Sequence, residues 1–434
     1  MESIHQTPAH VPAVRVNGRD YRGAPAPIVV VCVDGSEPDY HRHAIEAGLM
    51  PYLSSVIGHS GSSLSAECTM PSFTNPNNLS IATGAPPSVH GICGNFFFNR
   101  ETGEEVMMND PSLLRAPTIF ASYSAAGASV AIITAKDKLR RLLGAGLQQG
   151  ICFSAEKADS VTMEENGIEG VLDLIGMPLP SVYSAELSEV AMAAAVQVLK
   201  QFRPDIMYVS LTDYIQHKHA PGTATANAFY AMLDTYYQQL DALGATLVIT
   251  ADHGMNAKSN AFGVPNVVFL QDVLDQRLGA GESRVILPIT DPYPGHHGAL
   301  GSYATIYIAD TAKNLSSVLT YLNEHSGISK VFTAEEACVR FELPRDRIGE
   351  VVVVAGQNTV LGRTPSQHDL SSLDEPLRSH GGLTEQPIPF IVNRPVVGLP
   401  ETHRLRNFDA YWVAANFTQP QADQPRPGIL ATQS

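Results

Sequence analysis

Cysteine is scarce and scattered: five residues, Cys32, Cys68, Cys93, Cys152 and Cys338, with no CxxC pair. That spacing supports neither a disulfide scaffold nor a thiolate zinc finger. Basic side chains are also few, 28 Lys and Arg against 43 Asp and Glu, which leaves 434 residues with a formal net charge of −15. Such a chain repels phosphate backbones at long range, so nucleic acid is not an expected partner. No window reaches the ~20 apolar residues of a membrane span. Residues 1–27 are polar and carry no apolar signal core. The expectation is a soluble cytoplasmic protein without a membrane partner. A small anion is still admissible, because a metal ion or a local lysine cluster can reverse the sign of one cleft. Hydrophobic residues are plentiful at 44%, enough for a sizeable core, and there are fifteen histidines. Histidine and carboxylate are the zinc ligands that remain when cysteine is not used.

The apolar run Ile28-Val29-Val30-Val31-Cys32-Val33 lacks period-2 alternation, the pattern of a strand buried on both faces. Residues 129–133, 205–211 and 245–249 read the same way, and 185–202 and 226–243 read as helices. Strands alternating with helices imply an α/β fold with a parallel sheet. Between Gly254 and His380, strand-like runs at 303–308 and 351–355 and a helical stretch at 314–325 indicate an α+β insert. The expected division is a core of 28–259 and 376–418, an inserted cap over 260–375, and loose termini at 1–27 and 419–434. Residues 388–392 are read as rejoining the core sheet.

The polar residues fall where such a sheet binds ligands. Asp34, Lys136, Asp213 and Asp252 lie just beyond the C-terminal ends of four strand runs, the edge at which open α/β sheets form their crevice. Asp213 and His217 are four apart, so a helical turn points both at one place. Asp252-His253-Gly254 and His380-Gly381-Gly382 add two more histidines. Any one of these reads as a turn or a cap. Together they make three carboxylates and three histidines, a mixed donor set that suits zinc or another borderline ion such as manganese or iron. The set is too large for one tetrahedral ion, and two ions with open positions fit a catalytic arrangement.

Residues 70–84, MPSFTNPNNLSIATG, supply a candidate nucleophile. Asn75 reads as a helix N-cap, Pro76 as the first helical residue and Gly84 as the stop. Thr74 then sits at the positive end of a helix, where backbone N–H groups can hold a phosphoryl oxygen. A hydroxyl next to a divalent ion is acidified and becomes nucleophilic.

The pieces Val33-Asp34-Gly35, 73–78 (FTNPNN), 90–95 (HGICGN), 213–217 (DYIQH), 251–255 (ADHGM) and 379–382 (SHGG) occur in the order of one family. The chain resembles the alkaline phosphatase superfamily, in its nucleotide pyrophosphatase/phosphodiesterase-like branch, over residues ~28–395. The resemblance implies a mostly parallel central sheet flanked by helices. It also implies two zinc ions: one held by Asp213, His217 and His380, the other by Asp34, Asp252 and His253 with Thr74 as further ligand and nucleophile. Asn95 would help hold a phosphoryl oxygen. The sulfatase branch needs a CxPSR run, and residues 68–72 are CTMPS. Alkaline phosphatases proper use Ser with a nearby Arg, whereas Thr74 is followed by Asn75. A phosphonate or phosphodiester is therefore favoured over a simple monoester.

Within the branch, residues 134–138 (TAKDK), 216–219 (QHKH) and the late cap insertion resemble enzymes that act on phosphonoacetate, and that resemblance implies hydrolysis to acetate and phosphate. Cleaving a P–C bond leaves a carbanion, which an adjacent carboxylate can delocalise as an enolate. Lys136 and Lys138, two apart on or after a strand, would face one side and stabilise that charge. His219 is a further candidate substrate contact, and the pair His296-His297 a candidate lid. Trp412, the only tryptophan, is read as packing. A phosphodiesterase of the same branch, marked by an aromatic stacking slot, and a metal-storing protein with closed ligand shells remain alternatives. Homodimer formation is left open.

Overall fold

The computed structural model describes residues 11–290, 300–371, 373 and 375–419. Seven strands form the central sheet: β1 (Ile28–Cys32), β2 (Ser62–Glu67), β3 (Val130–Thr134), β4 (Ile151–Ser154), β5 (Ile206–Ser210), β6 (Thr246–Thr250) and, after a long excursion, β11 (Pro387–Val392). Their order is β2-β11-β6-β1-β5-β3-β4. β6, β1, β5, β3 and β4 pair in parallel, and β11 runs antiparallel to both β6 and β2.

β1, β3, β5 and β6 are buried at every residue because both sheet faces are covered. Val29, Val31 and Val33 enter one apolar layer with the helices Glu186–Phe202 and Ala224–Ala242. Ile28, Val30 and Cys32 enter the other, with Leu79 and Ile81 from α1 (Thr74–Thr83) and Tyr411 from the helix Ala410–Asn416. This explains the unbroken hydrophobic runs: alternate residues face opposite layers, and neither layer is water. Trp412 packs as expected, beneath the Arg19 guanidinium at 4.6 Å and beside Phe417 at 4.7 Å.

Residues 283–355 carry a second, antiparallel sheet of β7 (Ser283–Ile286), β8 (Tyr303–Ile308), β9 (Ile328–Thr333) and β10 (Val351–Ala355), in the order β7-β8-β10-β9. Its helix Thr311–Asn323 matches the helical stretch expected there. The sheet packs behind the loop ahead of α1, with the Tyr303 and Phe73 rings edge to face at 6.2 Å.

Two expectations are corrected. Residues 11–27 are not a loose arm. Val14–Val16 pairs with Arg19–Tyr21 across an Asn17-Gly18 turn, where both residues have positive φ, and Val11, Val16 and Tyr21 are buried. Asn-Gly between two short β segments is a hairpin signal that the overall polarity of the arm hides. Residues 1–10 and 420–434 lie outside the described residues. The second correction concerns α1, which starts two residues earlier than read. Phe73 is its N-cap, extended at φ −121°, and Asn75 lies inside the first turn. Pro76 is tolerated there because first-turn N–H groups have no helical partner. Gly84 ends the helix with φ 63°, as expected. Among the described residues, no helix is long and apolar enough to cross a membrane.

Candidate metal centre and active site

β6, β1 and β5 are adjacent and parallel, so their C-terminal ends stand side by side at the ~4.8 Å spacing of a sheet. Asp252, Asp34 and Asp213 each follow one of these ends by two or three residues. Asp213 also starts the short helix α2 (Tyr214–Lys218), which places His217 one turn on. His380 arrives on the chain leading into β11.

The donor atoms fall into two buried groups, each compact to within 4.8 Å: Asp213, His217 and His380, and Asp34, Asp252 and His253. Thr74 joins the second, its Oγ1 3.3 Å from His253 Nε2. All three histidines turn Nδ1 toward a backbone carbonyl: His217 to Arg378 at 3.0 Å, His380 to Ser72 at 2.9 Å and His253 to Gly254 at 2.9 Å. A neutral ring donating through Nδ1 leaves the Nε2 lone pair for a metal, the outer partnership usual for ligating histidines.

Electrostatics support the same reading. Burial, then the charge of His380, pushes the His253 pKa well below its ordinary value. Its Nε2 lone pair faces Asp34 Oδ1 at 3.3 Å and Asp252 Oδ2 at 3.8 Å. Burial, then the Asp213 and Asp252 charges, pushes the Asp34 pKa well above the carboxylate range, and burial raises Asp252 to about 6. Asp34 Oδ1 is buried without a hydrogen-bond donor. Crowded acceptors facing one another in a dry site are costly unless a cation lies between them. The residues present fit a divalent ion in each group.

Several residues that support the donors show little sign of that role in the sequence. Asn78 Nδ2 donates to Asp252 Oδ2 at 3.0 Å, while its Oδ1 accepts from Tyr208 at 2.7 Å and Ser210 at 3.0 Å. Asn77 ties the loop before the nucleophile, donating to the Thr69, Pro71 and Phe73 carbonyls at 3.2, 3.1 and 3.0 Å. Arg378 holds the carbonyl of Gln216, beside His217, through Nε at 2.8 Å. The 73–78 run (FTNPNN) does show such a signal, since two adjacent asparagines inside a helix are poor helix formers and call for a reason. Arg378, more than 160 residues from Gln216, gives no local sign.

The lysines differ from expectation in geometry. They are not alternate residues of a strand: Lys136 caps α3 (Asp137–Leu143) and Lys138 is its second residue. Lys136 Nζ lies 3.6 Å from Asp213 Oδ1, beside the metal groups. Lys138 is exposed, yet partial loss of water and then the Lys136 charge still lower its pKa. Asn95 is buried and reaches Thr290 Oγ1 through its amide. Its backbone carbonyl accepts from Met108, whose own carbonyl accepts from Asn75 beside Thr74. His219 closes α2, and its carbonyl accepts from the Tyr40 hydroxyl at 2.7 Å. His296 and His297 lie outside the described residues.

A family model described as type I phosphodiesterase / nucleotide pyrophosphatase matches residues 28–383. The chain belongs to this family. Phosphonoacetate hydrolase from Sinorhizobium meliloti 1021, solved with phosphonoformate, is 56% identical with a TM-score of 0.89, covering 93% of this chain and 98% of that one. The same enzyme solved with phosphonoacetate is 55% identical at a TM-score of 0.88 and equal coverage. The wild-type alkaline phosphatase PafA, at 16% identity and a TM-score of 0.63 over 89% of this chain and 95% of that one, shares the fold. An uncharacterized pyrophosphatase/phosphodiesterase of Schizosaccharomyces pombe is 32% identical over 91 residues, 21% of this chain. The match spans 18% of that relative's length. The chain thus has an alkaline-phosphatase-like fold, and each of its two buried donor groups is placed so that it could hold a metal ion.

Proposed function

We propose that the chain is a phosphonoacetate hydrolase that holds two zinc ions and uses Thr74 as nucleophile. The observation that carries this reading is the likeness, over nearly the whole chain, to the Sinorhizobium meliloti enzyme solved with phosphonoacetate. Zinc bound by Asp213, His217 and His380, and by Asp34, Asp252, His253 and Thr74, would acidify the Thr74 hydroxyl and neutralise the phosphoryl oxygens. Thr74 Oγ attacks phosphorus in line. A P–O bond forms, the P–C bond breaks, and its electron pair passes into the carboxylate-stabilised enolate. Lys136 and Lys138 hold the substrate carboxylate and that developing charge, with His219 as a further contact, and Asn95 holds a phosphoryl oxygen. Protonation at carbon releases acetate, and water then hydrolyses phospho-Thr74 to phosphate.

The partner on this reading is a small anionic phosphonate, with no nucleic acid and no membrane, which the net charge of −15 supports. A cytoplasmic location is supported by five cysteines that are all free thiols. The division into a core of 28–259 and 376–418 and a cap of 260–375 is supported by the separate antiparallel sheet.

Phosphate release from phosphonoacetate, compared with turnover of a nitrophenyl phosphodiester under equal conditions, tests the substrate. Phosphonoacetate is expected to be the better substrate by kcat/KM. The reverse order would favour the phosphodiesterase alternative.

A further inference from the structure

We propose that the buried pair Lys258–Glu385 is a positioning unit that sets the spacing of the two metal groups by tying the turn that follows His380 to the strand end that carries His253. This rests on the two-metal reading above. Lys258 Nζ lies 2.9 Å from Glu385 Oε1, and both side chains are wholly removed from solvent. A buried ion pair is weak evidence for stability, because an apolar pair of similar volume often serves as well. What this pair does is directional. Glu385 Oε2 accepts from the Gly382 N–H at 2.9 Å, and Oε1 also accepts from Asn256 at 2.7 Å and Thr384 at 2.6 Å. The backbone carbonyl of Glu385 accepts from the Gly254 N–H at 2.7 Å, next to His253. The Gly382 carbonyl accepts from Ser72 Oγ at 2.8 Å, and the Ser72 carbonyl fixes His380 Nδ1. Lys258 also donates to the Gln357 carbonyl at 2.6 Å, in the turn after β10. One residue, Glu385, therefore holds both sides of the gap between the donor groups.

The gap itself is narrow. The His253 and His380 rings stack at 3.7 Å with 7° between their planes. His253 Nε2 faces Asp34 and Asp252, and His380 belongs to the other donor group, so the ring stack is a direct contact between the two groups. Burial alone would raise the Glu385 pKa, but Lys258 and the Thr384 and Asn256 donors hold it below the usual carboxylate range. The carboxylate is thus kept ionised as an acceptor for both the Gly382 N–H and the ammonium.

The test uses the full-length, zinc-loaded protein with Lys258→Met, Lys258→Arg and Asn256→Ala variants. Zinc affinities come from chelator competition, and kcat and KM from phosphonoacetate turnover. Lys258→Met is expected to weaken the more loosely held zinc by about tenfold or more, in the range of lost outer partners. It should lower kcat with KM unchanged, while Lys258→Arg restores most of both. Asn256→Ala, which removes one part-exposed donor, should shift both in the same direction by less. Wild-type zinc affinities and kcat in a Lys258→Met protein of reduced melting temperature would overturn the proposal. If Lys258→Met does not fold, unchanged zinc affinities in Asn256→Ala overturn it instead. Wild-type protein that holds fewer than two ions would refute the two-metal reading itself.

Discussion

The two donor groups are built from the same residue types and anchored in different ways. Asp34, Asp252 and His253 come from two strand ends, and Asp252 is held on three sides, by Asn78 and by the N–H groups of Gly35 at 3.2 Å and His253 at 3.0 Å. Asp213 and His217 come from one short helix, with Lys136 lying beside Asp213 and His217 hung from the Arg378 carbonyl. In the first group both Asp252 oxygens accept hydrogen bonds, and Thr74, the proposed nucleophile, lies beside His253. In the second, Asp213 stands next to Lys136, the cation proposed to meet the substrate. On the proposed mechanism, the densely bonded carboxylate lies on the side of the attacking oxygen and the lysine on the side of the leaving group.

Breaking both groups at once should have the largest effect. Chelation is expected to reduce phosphonoacetate turnover to background, and added zinc to restore it; turnover that persists in metal-free protein would refute the metal roles. Next comes Thr74→Ala, expected to cost roughly 10⁴–10⁶-fold in kcat, the scale seen when other enzymes lose a nucleophile. Thr74→Ser should retain partial activity, and a trapped phosphoenzyme should be found only while a hydroxyl is present.

Lys136→Ala sharpens the contrast from the substrate side. It should raise the barrier for phosphonoacetate by roughly 2–4 kcal/mol, as for loss of an oxyanion-hole donor. A nitrophenyl ester, whose leaving group stabilises its own charge, should lose much less. Equal losses on both substrates would remove Lys136 from the carboxylate role. The smallest effect is expected from Asn78→Ala, which should weaken the Asp252 group for zinc by about 10–100-fold and leave the Asp213 group unchanged. Chelator competition on each site distinguishes these outcomes.

Much of this was legible in the sequence because strand ends are local features. The runs ending at Cys32, Ser210 and Thr250 announce buried parallel strands, and Asp34, Asp213 and Asp252 follow them directly. Parallel order then brings residues more than 200 apart to one edge without any further information. The hidden parts are those set by long-range partners. Nothing near Lys258 or Glu385 reveals that they meet, and a charged pair with no exposure is the opposite of what composition leads one to expect. The Lys136-Asp137-Lys138 spacing misleads because α3 begins at Asp137, directly after the strand, so the two side chains follow a helical period and do not share one side. The Asn17-Gly18 hairpin was obscured by the polarity of its surroundings, although its turn chemistry was present.

Asp34, Asp252 and His253 are placed to hold one divalent ion, and Asp213, His217 and His380 another. Zinc counted per chain in purified wild type, Asp252→Asn and Asp213→Asn tests this assignment most directly. Two ions are expected in the wild type and one in each variant, with the lost ion differing between the two. A single ion in the wild type, or two retained in both variants, would contradict it.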